Sequence, residues 1–125
     1  MPKKTKHKIL IVEDDEDFLS ILKIKFESEG FSVVSAADGE EGALMAGEEK
    51  PDLVISDVLI PKMDGVEMAR KIKKIKNGPP VVFLTNIKDD NYIDNMKKLD
   101  CDYWVKSDLR INEIVEKVRV KLGLK

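Results

Sequence analysis

The sequence predicts an α/β protein, a (βα)5 chain folded into a doubly wound, parallel, five-stranded sheet. Two observations predict it. Short Val- and Ile-rich runs alternate with longer stretches whose apolar residues recur at helical spacing. The short runs are apolar throughout rather than at every second residue, the pattern of strands covered on both faces. A chain of 125 residues fits one domain.

Taken in order, the first strand is Lys8–Val12, bounded by acid at Glu13. The helix over Asp15–Glu29 aligns Phe18, Leu19, Leu22 and Phe26 on one face, and Asp15 is placed to cap it. Phe31–Ala36 is the second strand, after Gly30. Gly39–Glu49 carries Ala43, Leu44 and Ala46 and is the second helix. Leu53–Ser56 is the third strand. Asp64–Ile75 holds Val66, Ala69, Ile72 and Ile75 in register, with Asp64 as a good N-cap. Pro80–Leu84 is the fourth strand, and the mostly polar Lys88–Leu99 is the fourth helix, with only Ile93, Met96 and Leu99 as an apolar face. Tyr103–Val105 is the fifth strand. The last helix, Ile111–Leu122, buries Ile111, Ile114, Val115, Val118 and Leu122 and turns Glu113, Lys117 and Lys121 to water. The expected organisation is a basic tail over 1–7 and one domain over 8–123, with no output domain in the chain.

Charged residues make up 37% of the chain, but the net charge is only -2, so there is no general drive toward nucleic acid or an anionic membrane. The basic start, with Lys3, Lys4, Lys6, His7 and Lys8, reads as a solvated terminus. No signal-peptide apolar region follows it, and no apolar run approaches the roughly 20 residues of a membrane helix. One cysteine, Cys101, excludes an intrachain disulfide framework. A cytoplasmic location is expected.

In such a sheet, ligands bind beyond the carboxyl ends of the strands. The residues there are Glu13, Asp14 and Asp15 after the first strand, Asp57 after the third, Thr85 and Asn86 after the fourth, and Lys106 after the fifth. Each alone has an ordinary explanation as a cap, a turn residue or a solvated lysine. Together they bring acid, hydroxyl and amine to one rim. Two unit charges about 4 Å apart cost roughly 4 kcal/mol at an effective dielectric of 20. Crowded carboxylates at Glu13, Asp14 and Asp57 must therefore protonate or hold a cation. Hard oxygens completed by water suit Mg²⁺.

The stretches ILIVEDDEDF (Ile9–Phe18), PDLVISDVLIPKMDG (Pro51–Gly65), VVFLTN (Val81–Asn86) and DYWVK (Asp102–Lys106) closely resemble the receiver domains of two-component response regulators. The resemblance covers essentially residues 8–122. It implies the flavodoxin-like strand order 2-1-3-4-5, the order for which the chemotaxis receiver is a standard example. It also implies a phosphoacceptor signalling domain, not an enzyme in the usual sense, that promotes its own phosphorylation and dephosphorylation. Asp57 would be the phosphorylated nucleophile and a metal ligand. Glu13 and Asp14 would organise Mg²⁺, with Asp14 favoured as the direct ligand and the carbonyl of Leu59 as a further one. Lys106 would pair with the phosphoryl group, Thr85 would be the switch hydroxyl, and Tyr103 the aromatic that moves inward behind it. Pro61 and Gly65 would shape the loop after Asp57. The expected partners are a sensor histidine kinase or phosphotransfer protein and an unnamed downstream target protein. No direct contact with nucleic acid or membrane is expected.

Some residues depart from the family pattern. Ser107 stands where proline usually follows the lysine, in a peptide bond often cis in the family; cis before a non-proline costs about 2.5–4 kcal/mol. The loop before the fifth strand lacks the usual glycine and alanine and reads about one residue short. Trp104 is expected under a helix rather than on a docking surface. Leu59 and Ile87, two residues after Asp57 and Thr85, have no group to orient an attacking water, so slow self-dephosphorylation is expected. A flavodoxin-like electron carrier is disfavoured because Glu-Asp-Asp-Glu-Asp after the first strand would repel a flavin phosphate. An aspartate-based phosphatase is disfavoured because Val58 and Leu59, not a second acid, follow Asp57. The runner-up is a phosphorylation-independent interaction module of receiver shape.

Overall fold

The computed structural model describes residues 7–124; the basic tail expected over 1–7 therefore lies outside the described residues except for His7. The strands are β1 (Lys8–Val12), β2 (Ser32–Ala36), β3 (Leu53–Ser56), β4 (Val81–Thr85) and β5 (Asp102–Val105). The helices are α1 (Glu16–Ser28), α2 (Gly39–Glu48), α3 (Gly65–Lys73), α4 (Asp90–Lys98) and α5 (Ile111–Lys121), with a 3-10 turn at Lys106–Asp108 between β5 and α5. All strand pairs are parallel, in the order β2-β1-β3-β4-β5. This is the flavodoxin-like arrangement.

The continuous apolar runs are explained by the pleat. Successive side chains point to opposite faces, and both faces are covered. Leu10, Val12, Val54, Val81 and Phe83 join Ala46 of α2, Val66, Met68, Ala69 and Ile72 of α3 and Met96 of α4 in one core. Ile9, Ile11, Leu53, Ile55, Val82 and Leu84 join Leu22 and Phe26 of α1 and Ile114, Val115 and Val118 of α5 in the other. Phe26 is fully buried and meets Phe31 edge-on, with ring centroids 5.5 Å apart. Burying each such side chain contributes roughly 1.5–3 kcal/mol. Two-sided burial holds fully for β1 (from Ile9), β3 and β4. The edge strands correct it: Ser32 and Asp102 are exposed, and the residues between Val33 and Ser35 and between Tyr103 and Val105 are half-buried. A strand with one neighbour has less helix above and below it.

Several element ends shift from the predicted ones by a residue or two. Asp15 caps α1 from outside, its Oδ1 accepting from the amides of Asp17 (3.1 Å) and Phe18 (3.2 Å). Asp64 does the same for α3 through Glu67 N at 2.9 Å, and Asp89 starts α4 two residues later than predicted through Asn91 N at 2.8 Å. β4 begins after Pro80, which has no N–H for the ladder, and runs on to include Thr85. α1 ends in a Schellman motif on Gly30 (φ 93°), with Gly30 N bonded to Glu27 O and Phe31 N to Phe26 O. α4 ends in the same motif, but Asp100 takes the left-handed position at φ 56°, with Asp100 N on Lys97 O and Cys101 N on Met96 O. That reversal is how a short, glycine-free loop reaches β5.

Candidate functional site

The sheet sets the site by register. Beyond the last paired residues of β1 and β3, Glu13 N donates to Ala36 O (3.0 Å) and Asp57 N donates to Val12 O (3.2 Å). Two acids from neighbouring central strands are thus held at one level of the rim. β4 and β5 are paired through Thr85 and Val105, so Lys106 leaves the sheet one residue beyond Thr85.

The side chains of three of these residues meet. Lys106 Nζ donates to Asp57 Oδ2 at 2.9 Å and to Glu13 Oε2 at 3.1 Å. The remaining carboxylate oxygens also have donors: Asp57 Oδ1 accepts from Val58 N at 2.7 Å, and Glu13 Oε1 from Asp15 N at 3.2 Å. The Glu13 side chain is only 4% exposed, against 16% for Asp57 and 18% for Lys106. Burial pushes the Glu13 carboxyl above its ordinary range, opposed by the Lys106 charge and hydrogen bond and by the Asp15 amide, and aided by the charge of Asp57. For Lys106, burial works to lower the value, but the hydrogen bond and charge of Asp57, and then Glu13, outweigh it and carry the ammonium above its usual range. The ammonium is therefore a fixed positive charge among acids at any physiological pH.

Asp14 is not part of this contact set. It is exposed, and no three acidic, histidine or cysteine side chains form a ready metal cage among the described residues. The donors still fit Mg²⁺, which is usually held by one or two carboxylates and several waters rather than by an all-protein cage. Glu13, Asp57 and the solvent-facing Asp14 offer only hard oxygens. Leu59 is 58% exposed, and its carbonyl accepts none of the backbone bonds of this loop, which use Val58 O and Pro61 O.

Thr85 is buried, and its Oγ1 accepts from Ile87 N at 3.3 Å. Tyr103 is half-buried against the α3/α4 core, and its hydroxyl donates to Ile87 O at 3.2 Å. Trp104 is half-buried on the α5 side, with Lys117 Nζ 5.6 Å from its ring centroid. Lys106–Ser107 is not cis; the described residues contain no cis peptide bond.

Phe18 and Asn86 carried no role in the sequence reading, and Gly65 only that of shaping the loop after Asp57. Phe18 of α1 stands with its ring centroid 4.5 Å from Lys106 Nζ; its helical spacing marked it only as core. Gly65 permits close approach: a Cβ there would lie 2.5 Å from Asp57 O and 3.0 Å from Val58 Cα. Asn86 accepts from Ser107 N at 2.7 Å. The signal for that bond was present, since Ser107 has an N–H that a proline would lack.

A doubly wound sheet with a lysine-held aspartate at the end of its central strand defines the class: a receiver. Residues 9–119 match the family model of the response regulator receiver domain, and the chain belongs to that family. It is 40% identical over 85 residues to the alkaline phosphatase synthesis transcriptional regulatory protein PhoP of Bacillus subtilis, covering 68% of this chain and 35% of that protein. It is 44% identical over 77 residues to the transcriptional regulatory protein GlrR of Escherichia coli, covering 62% of this chain and 17% of that one. The chain thus spans about a third or less of these relatives. Among solved structures, a CheY-like response regulator receiver domain protein from Methanospirillum hungatei superposes with a TM-score of 0.88 at 27% identity, covering 95% of both chains. The BeF3-activated N-terminal receiver domain of Klebsiella pneumoniae RstA gives 0.81 at 27% identity, covering 93% of this chain and 98% of that one. No helix among the described residues is long and apolar enough to cross a membrane.

Proposed function

We propose that this receiver accepts a phosphoryl group on Asp57 from a phosphohistidine of a sensor histidine kinase or phosphotransfer protein. The observation that carries the reading is the Lys106 ammonium 2.9 Å from Asp57 Oδ2, with Glu13 beside it at the end of the central strands. A carboxylate oxygen of Asp57 attacks phosphorus, the P–N bond breaks with its electron pair passing to the donor nitrogen, and the donor ring, protonated on its other nitrogen, leaves as neutral imidazole. Lys106 holds the carboxylate in place and meets the phosphoryl oxygens as they arrive. Mg²⁺, held by Asp57 with Glu13, Asp14 and the Leu59 carbonyl, would supply the further positive charge that in-line phosphoryl transfer demands.

The product carries extra negative charge and new acceptor oxygens at the rim where the buried Thr85 ends its strand. Thr85 Oγ1 turns from the Ile87 amide toward the phosphoryl oxygen. Ile87 is bonded at its other end to the Tyr103 hydroxyl, so the loop and the aromatic move together. α4 has Met96 as its one fully buried residue, so it is the helix that yields most easily. The altered face then binds a downstream target protein. This domain itself is assigned no nucleic-acid or membrane contact, and a cytoplasmic setting fits a kinase partner.

Intact mass before and after acetyl phosphate with Mg²⁺ tests the reading. Wild type gains one phosphoryl group and Asp57→Asn gains none. A wild type that gains nothing, and whose spectrum ignores beryllofluoride, would be a phosphorylation-independent interaction module instead.

A further inference from the structure

We propose that Asn86 is a positioning residue for Lys106, acting through the Ser107 amide. The proposal deepens the phosphoacceptor reading and rests on it for what Lys106 does. A lysine side chain is long and flexible, so where its ammonium lands depends on where its backbone is held. That backbone is the 3-10 turn Lys106–Asp108, and the turn is weakly made. Its closing bond, Leu109 N to Lys106 O, is 3.4 Å long, and the residue before it, Val105, supplies no side-chain cap. The first amides of a helical turn have no partner within the turn. One of them, Ser107 N, donates to Asn86 Oδ1 at 2.7 Å, well inside good N–H···O geometry. The sheet makes the meeting possible: Thr85 pairs with Val105, so the residues that follow each strand run side by side.

Both partners are exposed, so the bond serves no core. Proline at 107 would have no N–H to offer, and alanine at 86 no acceptor. Asn86 also lies between Thr85, whose hydroxyl takes the Ile87 amide, and Ile87, whose carbonyl takes the Tyr103 hydroxyl. The loop after β4 is thereby joined to the lysine turn as well as to the aromatic.

The test compares wild type with Asn86→Ala and with Asn86→Asp, which keeps an acceptor oxygen in the same place. Amide exchange at Ser107 and the nitrogen resonance of Lys106 Nζ are recorded by NMR without metal or phosphodonor, at physiological ionic strength to mute the added charge. Asn86→Ala is expected to speed Ser107 exchange by about two- to tenfold, the worth of one ordinary hydrogen bond. It should also shift the Lys106 resonance and slow acetyl phosphate labelling of Asp57 by a similar factor. Asn86→Asp should restore all three. An unshifted Lys106 resonance in Asn86→Ala overturns the proposal, as does failure of Asn86→Asp to restore it. If wild-type Asp57 takes no label at all, the phosphoacceptor reading falls, while the exchange and resonance measurements still decide what Asn86 does.

Discussion

Lys106 reaches across 49 residues of sequence to hold Asp57 at 2.9 Å, and the same ammonium holds Glu13, which is almost fully buried. The phosphoacceptor candidate is therefore not a free carboxylate but one member of a paired cluster. Removing the cation leaves two acids facing each other. Lys106→Met should cost about 1.5–3 kcal/mol at neutral pH, the worth of hydrogen bonds to charged groups, measured by urea unfolding in EDTA. The sign with pH follows from the directions of shift. Lys106 is raised, so its contribution is complete below its unfolded value of about 10.4 and is lost only as pH rises through the higher folded value. Glu13 is also raised, so its ionisation costs stability as pH rises through its folded value, above the ordinary value of about 4.3. A protonated Glu13 needs no cation. The gap between wild type and Lys106→Met should thus narrow on acidification through that range; a gap independent of pH there would refute the account.

Gly65→Ala puts a methyl group 2.5 Å from Asp57 O, 3.0 Å from Val58 Cα and 3.1 Å from Phe83 Cε1. Two of those neighbours are backbone and cannot swing aside. The helix start or the Asp57 loop must move, at about 1–3 kcal/mol for overpacking of this kind. Unfolding midpoints and labelling of Asp57 should both fall. An alanine variant of wild-type stability and labelling rate would show that the close approach is dispensable.

Phosphoryl lifetime should be long. Leu59 is largely exposed, and Ile87 is half-buried against the α3/α4 core; neither side chain offers a polar group to orient water. Decay of phosphorylated wild type, followed by phosphate release, should be slower than that of the Leu59→Asn, Ile87→Glu double variant. Equal decay would remove these two side chains from the timing of the signal.

The Cys101 thiol is pushed up by burial, and the charge of Asp100 adds to the rise while Lys73 opposes it. Because the thiolate is the reactive form, alkylation by iodoacetamide at pH 8 should be severalfold slower in the native protein than in urea. Its rate should climb at higher pH than that of the unfolded chain. A native rate matching the unfolded one would mean the thiol is neither shielded nor shifted.

Much of the fold is legible in the sequence because its signals are local. Asp15 and Asp64 announce helix starts by what a short carboxylate does with free amides, and both cap as expected. The predicted ends that moved did so where a neighbour decided them. Asp89 rather than Lys88 opens the fourth helix, and Thr85 joins β4 because β5 pairs with it. At the site, the strand-end positions of Glu13, Asp57, Thr85 and Lys106 could be read from alternation alone. Asp14 could be counted among the acids but not placed outside the contact set.

The sequence by itself determined the element types, the two-sided burial of the inner strands and the set of chemical groups at one rim. These depend on spacing along the chain and on the chemistry of individual residues. Only the tertiary structure decided which groups touch. Lys106 meets Glu13 across 93 residues, its ammonium lies by Phe18, and Asn86 takes the Ser107 amide. Such contacts depend on strand register and on how far one backbone stands from another, and no local pattern of residues encodes either distance.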